Sequence, residues 1–252
     1  MTRLHLVPNT LDFGAPGEPA ALPELLPFGV IRIAAGLTHW VCENAKTTRV
    51  FLKRVDAVCP LARPLQEMSI VELPRPNKGR EAPANANGMD ALLAPTRAGH
   101  DLGLLSEAGL PALADPGAAL VAAAHAAGID VVAHPGASSI ALALAASGLN
   151  GQSFAFVGYI PVPADARAAR IRALEAASRR DAQTQLLIET PYRNATLLEA
   201  LLAHLQPATT LSVSVGLTLP GGYTRSDSVA RWRQRPTTLP SDVPAVFAFL
   251  AR

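Results

Sequence analysis

The stretch "LLSEAGLPALADPGAALV", residues 104–121, joins an apolar run to an alanine-rich helical pattern through a loop of small residues holding two prolines, two glycines and two acids. A strand is expected over Leu102–Ser106, fully apolar through Leu102–Leu105, and the chain leaves the sheet at Ser106-Glu107. Asp115 then reads as an N-cap, with Pro116 at the first helical position of a helix over Gly117–Ala127. Ala108, Gly109 and Pro111 therefore hang from the carboxyl end of a strand. Ligands of parallel sheets collect there, and small side chains let a ligand approach the backbone.

The same design recurs one unit later. A strand over Ile129–Ala133 runs into His134-Pro135-Gly136-Ala137-Ser138-Ser139 and then a helix over Ser138–Ser147. Further strands are expected at Leu4–Val7, Val30–Ala34 and Ile70–Leu73, with helices over Cys42–Arg54 and Gly88–Arg97. Strands alternating with helical patterns predict an α/β fold with a largely parallel sheet in the first half. Residues 74–87 are polar and proline-rich, and read either as an exposed linker or as a substrate lid.

The composition breaks at Gly148–Gln152, which sets a domain boundary at 149/150 and a second domain over residues 150–252. There the expected elements are strand Phe154–Ile160, helix Ala164–Arg180, strand Gln185–Glu189, helix Asn194–Leu205, strand Leu211–Leu217 and strand Val246–Leu250. Gly221-Gly222 marks a turn between antiparallel strands, so this second sheet is expected to be mixed. Arg167, Arg170, Arg172, Arg179 and Arg180 point in several directions around their helix among Asp165 and Glu175, which favours a solvated face over an RNA-binding stripe.

Length allows two modest domains, and 49% hydrophobic with 17% charged residues describes an ordered globular chain. A formal charge of +2 does not by itself announce a nucleic-acid binder. Cys42 and Cys59 make no disulfide framework, and the six histidines show no metal-binding spacing, so no metal is expected. The amino terminus lacks a long apolar segment, and His125, Asp130, His134 and Pro135 interrupt the alanine-rich stretch. A cytoplasmic protein outside the membrane is therefore expected. Neither GxGxxG after the first strand nor GxxxxGK[ST] occurs, which argues against common dinucleotide and triphosphate sites. No GxSxG elbow supports a hydrolase.

"SEAGLPALADPG" (106–117), "GIDVVAHPGASSIALALAASGL" (128–149) and "FAFVGYIP" (154–161), in that order, resemble the tetrapyrrole methylase superfamily, the class III methyltransferases that use S-adenosylmethionine. "LHLVPNT" (4–10), "CENAKTTRVFL" (42–52) and "LIETPYRNATLLEAL" (187–201) are similar to its branch of small-subunit rRNA ribose 2′-O-methyltransferases. The chain departs from that branch at Leu110, at Ala137, in the loop Asn9-Thr10-Leu11-Asp12, and at Gly216-Leu217-Thr218-Leu219, where an acidic and a basic residue are usual.

The resemblance implies a two-domain fold with S-adenosylmethionine between the domains, a homodimer, and methyl transfer to an RNA ribose hydroxyl or related acceptor. A tetrapyrrole or other small molecule is the alternative acceptor, and a non-catalytic binding protein on the same fold is a third possibility. It implies cofactor contacts at Pro8, Ser106, Gly109, Pro111, Pro135, Ser138 and Ser139, and in the second half at Tyr159, Leu217 and Ala245. Helix capping is the structural alternative for the serines. Glu107, then Glu43, are candidate bases for a hydroxyl acceptor, with Arg49 beside them. Arg193 and Glu189 are candidate substrate contacts. Ion pairs Glu43–Arg49 and Glu189–Arg193 are the structural alternatives for these charges.

Overall fold

A computed structural model describes residues 2–12, 20–74 and 86–252. The loop or lid read over 74–87 falls on 75–85, outside the described residues. Contacts divide the chain into two units, the first ending at Ala137 and the second running over Ser138–Arg252.

The first unit runs β1 (Arg3–Val7), α1 (Leu22–Leu25), α2 (Phe28–Gly36), β2 (His39–Cys42), α3 (Ala45–Asp56), β3 (Ser69–Glu72), α4 (Ala86–Leu92), α5 (Ala94–Arg97), β4 (Leu102–Leu105), α6 (Ala118–Ala126) and β5 (Asp130–Ala133). The five strands are parallel in the order β3-β2-β4-β1-β5. Helices cover both faces, which explains the unbroken apolar run of β4. Leu105 packs with Val30, Ile31, Phe51 and Leu52 from α2 and α3. Leu104 turns the other way, onto Leu120 and Ala124 of α6.

Two sequence expectations are corrected here. Val30–Ala34 is not a strand but the middle of α2, because Val30, Ile31, Ala34 and Ala35 recur at helical spacing and are all buried. The strand in that place is β2, four residues long, whose last residue, Cys42, was assigned to the following helix. That helix begins only at Ala45, capped by Asn44 Oδ1, which accepts from Lys46 N at 2.9 Å.

The second unit runs α7 (Ser139–Ser147), β6 (Phe154–Gly158), α8 (Ala164–Asp181), β7 (Thr184–Ile188), α9 (Asn194–His204), β8 (Thr210–Val215), β9 (Tyr223–Ser228), α10 (Val229–Gln234) and β10 (Ala245–Leu250). Its sheet, in the order β6-β7-β10-β8-β9, is mixed: β6 and β7 are parallel and the other pairs antiparallel. Gly221 and Gly222 lie in the connection of the β8–β9 hairpin. Helix α7 packs Ile140, Ala143 and Leu144 against Leu186, Val246 and Ala248 of this sheet. The contact division thus falls before α7, whereas the composition break falls after it, because the helix buries its apolar face on β7 and β10. The arginines of α8 are largely exposed; Arg180 pairs Asp181 and Arg179 Nε donates to Arg252 O at 2.8 Å.

Candidate functional site

In the first unit the parallel register brings the carboxyl ends of β1, β2, β4 and β5 to one edge of the sheet. Pro8, Glu43, Ser106, Glu107, Gly109 and Pro135 all sit on the segments leaving that edge.

The β1 and β4 loops are tied to each other. Asn9 N donates to Gly109 O at 2.8 Å, and Gly109 N returns to Thr10 O at 3.3 Å. Asn9 Nδ2 donates to the carbonyls of Ser106 (3.1 Å) and Glu107 (3.0 Å), while Asn9 Oδ1 accepts from Thr10 N at 2.8 Å. Asn9 therefore spends its amide on holding two loops in register. In the sequence this loop is visible only as a departure from the family branch. Below it, Arg54 clamps the same loop, donating to Thr10 Oγ1 at 3.2 Å and pairing with Asp12 at 3.1 Å.

The β5 loop comes equally close. A Cβ on Gly136 would sit 2.2 Å from Pro8 Cβ, so only glycine permits this approach. His134, at the head of that loop, is hydrogen-bonded through Nε2 to His5 Nδ1 at 2.8 Å, and burial, then its histidine neighbour, lower its proton affinity. Pro111 is buried and lines an apolar recess of about 470 Å³ with Leu6, Leu110, Val121 and Ala133.

Four residues between Gly109 and Gly117 have positive φ: Gly109 at 70°, Ala112 at 63°, Ala114 at 66° and Gly117 at 130°. Two of them are alanines, each costing roughly 1–2 kcal/mol in that conformation. Strain of this kind clusters at functional segments. It also corrects the expected cap: α6 starts at Ala118 with Gly117 as N-cap and no side-chain capping bond. Asp115 does not cap the helix, whose N-cap is Gly117; its carboxyl instead feels the charges of Glu43 and Glu107.

That group is the electrostatic centre of the edge. Burial, then the charges of Glu43 and Glu107, push the Asp115 carboxyl up to about 7, with the Ser106 hydroxyl pulling the other way. Glu43 is likewise raised, first by burial and also by Glu107's charge, against the Ser106 hydroxyl and the Glu107 backbone. Ser106 is 2% exposed. It acts on both acids, yet its Oγ and Glu43 Oε1 form no hydrogen bond of ordinary geometry among the described residues. Glu107 receives a long contact from Thr47 Oγ1, 3.5 Å. The expected Glu43–Arg49 pair does not form among the described residues: Arg49 is exposed and donates to Ala45 O at 3.1 Å, on its own helix.

In the second unit, Tyr159, Glu189 and Leu217 follow the ends of β6, β7 and β8, while Ala245 opens the antiparallel β10. The register places them on one edge, with Gly158 opposite Leu187, Ile188 opposite Val246, and Val215 opposite Ala245. Glu189 pairs Arg193 at 3.0 Å and accepts from Thr190 N at 2.9 Å. Ser138 caps α7, its Oγ accepting from Ala141 N at 3.4 Å, and Ser139 is the first residue of that helix.

No group of three or more His, Cys, Asp or Glu is arranged to hold a metal among the described residues, and no described helix is long and apolar enough to cross a membrane.

Residues 18–225 match the family of tetrapyrrole (corrin/porphyrin) methylases. The ribosomal RNA small subunit methyltransferase I of Pseudomonas aeruginosa is 40% identical over 103 residues, covering 41% of this chain and 34% of that protein. The protein of the same name from Mesorhizobium japonicum is 33% identical over 164 residues, covering 65% and 49%. The aligned part thus spans about a third to a half of the length of these curated relatives. The crystal structure of the methyltransferase CobJ aligns with a TM-score of 0.57 at 16% identity, covering 100% of this chain and 95% of that one. Uroporphyrin-III C-methyltransferase from Thermus thermophilus, complexed with S-adenosylhomocysteine, aligns with a TM-score of 0.51 at 19% identity, covering 98% and 97%.

Proposed function

Because the chain belongs to the tetrapyrrole (corrin/porphyrin) methylase family, we propose that it transfers the methyl group of S-adenosylmethionine to a ribose hydroxyl of small-subunit ribosomal RNA. One observation carries the reading: two strand-end loops locked together by Asn9 around a buried serine hydroxyl, without an ordinary hydrogen bond among the described residues, and half-buried carboxyls.

That donor set suits the cofactor. A sulfonium is a cation, and carbonyl, hydroxyl and carboxylate oxygens can face it without leaving a buried charge uncompensated. Bound there, the cofactor supplies an already activated methyl carbon. The remaining task is placement, which can supply ~7–11 kcal/mol in favourable cases. Pro8, Ser106, Gly109, Pro111 and Pro135 are the proposed contacts in the first unit, and Ser138, Ser139, Tyr159, Leu217 and Ala245 carry the same assignment in the second. Asn9 and Arg54 hold the loop that positions them. Glu43 and Glu107 set the negative potential at the sheet edge, with Arg49 at its rim. Arg193, oriented by Glu189, can grip a phosphate of the acceptor. A homodimer in the cytoplasm completes the reading.

RNA is preferred over a tetrapyrrole because the curated relatives matched by sequence, 40% and 33% identical over the aligned parts, are ribosomal RNA methyltransferases. Calorimetry with S-adenosylhomocysteine tests the cofactor. Labelled-methyl transfer to small-subunit rRNA and, in parallel, to uroporphyrinogen tests the acceptor. Heat with label in RNA alone supports the proposal. Label in the porphyrin alone moves the protein to the other acceptor class, and no heat at all favours the non-catalytic alternative.

A further inference from the structure

All three tyrosines of the protein lie in the second unit, and all three are exposed: Tyr159 by 60%, Tyr192 by 72% and Tyr223 by 39%. The other large aromatics Trp232, Phe247 and Phe249 of the same unit are buried in its core. Topology puts the tyrosines on one edge of the sheet. Tyr159 follows the end of β6, Tyr192 lies beyond the end of β7, and Tyr223 opens β9 opposite Val215 at the end of β8. With neighbouring strands ~4.8 Å apart, the order β6-β7-β10-β8-β9 spreads them over about 19 Å, the length of several nucleotides at ~3.4 Å per stacked base.

Nothing inside the unit accounts for these rings. The Tyr192 and Tyr223 side chains make no hydrogen bond and no ring contact among the described residues. Exposed apolar side chains are ordinary when scattered singly, but here Val162, 62% exposed, joins the tyrosines on the same edge. The backbone beneath two of the rings is fixed. Tyr192 sits in a 3₁₀ turn over Pro191–Arg193, closed by Arg193 N donating to Thr190 O at 2.9 Å and by the Glu189–Arg193 pair. Tyr223 follows Gly222, where a Cβ would lie 2.1 Å from Gly216 O, so only glycine allows the turn that delivers it. A ring on such a backbone has only two side-chain torsions to order on binding.

Charge indicates the partner. Over Ser138–Arg252, eleven arginines and no lysine stand against seven acids, a net charge of +4, whereas the whole chain carries +2. At the edge itself charges nearly cancel: Glu189 is spent on Arg193, Arg167 Nη1 donates to Val162 O at 2.9 Å, and Asp165 and Asp242 are exposed on the flanking segments. A polyanion is drawn to the unit, and what the edge offers it is ring faces. Ring faces stack on unpaired bases, which a duplex keeps covered. Resting on the rRNA methyl-transfer reading above, we infer that the Tyr192 and Tyr223 rings stack bases of a single-stranded segment of the acceptor RNA. They do so on the edge that carries the cofactor contacts proposed at Tyr159, Leu217 and Ala245.

The test measures binding of fragments tiling small-subunit rRNA, each as a single strand and annealed to its complement. The full chain is compared with Tyr192→Ala, Tyr223→Ala, Tyr192→Phe and Tyr223→Phe, and calorimetry gives the S-adenosylhomocysteine affinity of each. The native protein should prefer the single strand. Each alanine variant should lose roughly tenfold in affinity for it, the scale of one stacked base, while the phenylalanine variants stay within about threefold of native. The slope of affinity against salt should be unchanged, because no phosphate contact is removed. S-adenosylhomocysteine should bind every variant within about threefold of native. Four results overturn the inference while cofactor binding keeps the methyltransferase reading standing: alanine variants that bind RNA within about threefold of native, phenylalanine variants as damaged as the alanine ones, equal binding of the duplex, or no binding of either RNA form. A monomer–dimer equilibrium that shifts in the alanine variants assigns the edge to a second copy of the chain and overturns it as well. Native protein that binds neither RNA nor S-adenosylhomocysteine removes the reading and the inference together.

Discussion

The two sheet edges carry similar charges and treat them oppositely. In the second unit, Glu189 is neutralised: Arg193 pairs it at 3.0 Å and the Thr190 amide donates to it at 2.9 Å. In the first unit, Glu43 and Glu107 act on Asp115 by like charge, and none of the three has an ion pair among the described residues. One edge is satisfied and contributes to stability. The other holds polar groups that the fold leaves unmatched, and such groups are better matched by a ligand or by a proton in transit.

The largest expected effect is on the backbone approach that builds the unmatched edge. Gly136→Ala forces a Cβ onto Pro8, and it should cost about 3 kcal/mol, the upper range for overpacking. Urea denaturation measures that loss, and calorimetry should show weakened S-adenosylhomocysteine binding in the same variant. Native stability would show that the loops are not held at this distance.

Arg193→Ala should come next. It strips a buried carboxylate of its cation and should destabilise by about 2 kcal/mol, less than a fully buried pair because Arg193 is partly solvated. Asn9→Ala orphans the carbonyls of Ser106 and Glu107 and should cost ~1–2 kcal/mol. It should also reduce cofactor affinity, since it frees the β4 loop.

The smallest effect has the opposite sign. Because the folded Asp115 carboxyl titrates at about 7 rather than at its ordinary 3.8, the native state binds more protons than the unfolded chain between those values. Stability therefore falls as pH rises through that window. Asp115→Asn should abolish the fall, leaving the variant more stable than the native protein above pH 7, on the order of 1 kcal/mol for a half-exposed carboxyl. The difference should shrink toward zero below the ordinary aspartate range. Denaturation of both proteins across pH checks it. A native protein that instead gains stability over the window would make the two edges alike.

Parts of this contrast were legible in the sequence. The run Leu102–Leu105 and the small-residue loop after it place a strand and its end correctly, because burial on both faces demands an unbroken apolar strand. The ion pair Glu189–Arg193, one of the alternatives for these charges, forms before the start of α9. Val30–Ala34 misled, since a short apolar run fits a buried helix as well as a buried strand. Asp115 misled more instructively. Asp-Pro before an alanine run has the local chemistry of a cap, yet the helix starts only at Ala118, with Gly117 at φ 130° as its N-cap. Asn9 stands in the sequence only as part of a loop that departs from the family branch, and its role depends on the β4-loop carbonyls of Ser106 and Glu107 beside it.

What the sequence alone determined is what depends on neighbours along the chain: the alternation of strands and helices, the small-residue loops at strand ends, and the blocks that identify the family. What only the tertiary structure decided is which distant groups share a microenvironment. Glu43, Glu107 and Asp115 are separated by up to 72 positions in the numbering, and a carboxyl's proton affinity depends on desolvation and on charges nearby in space. No local pattern encodes those quantities; they arise only when the parallel register stacks the strand ends at one edge.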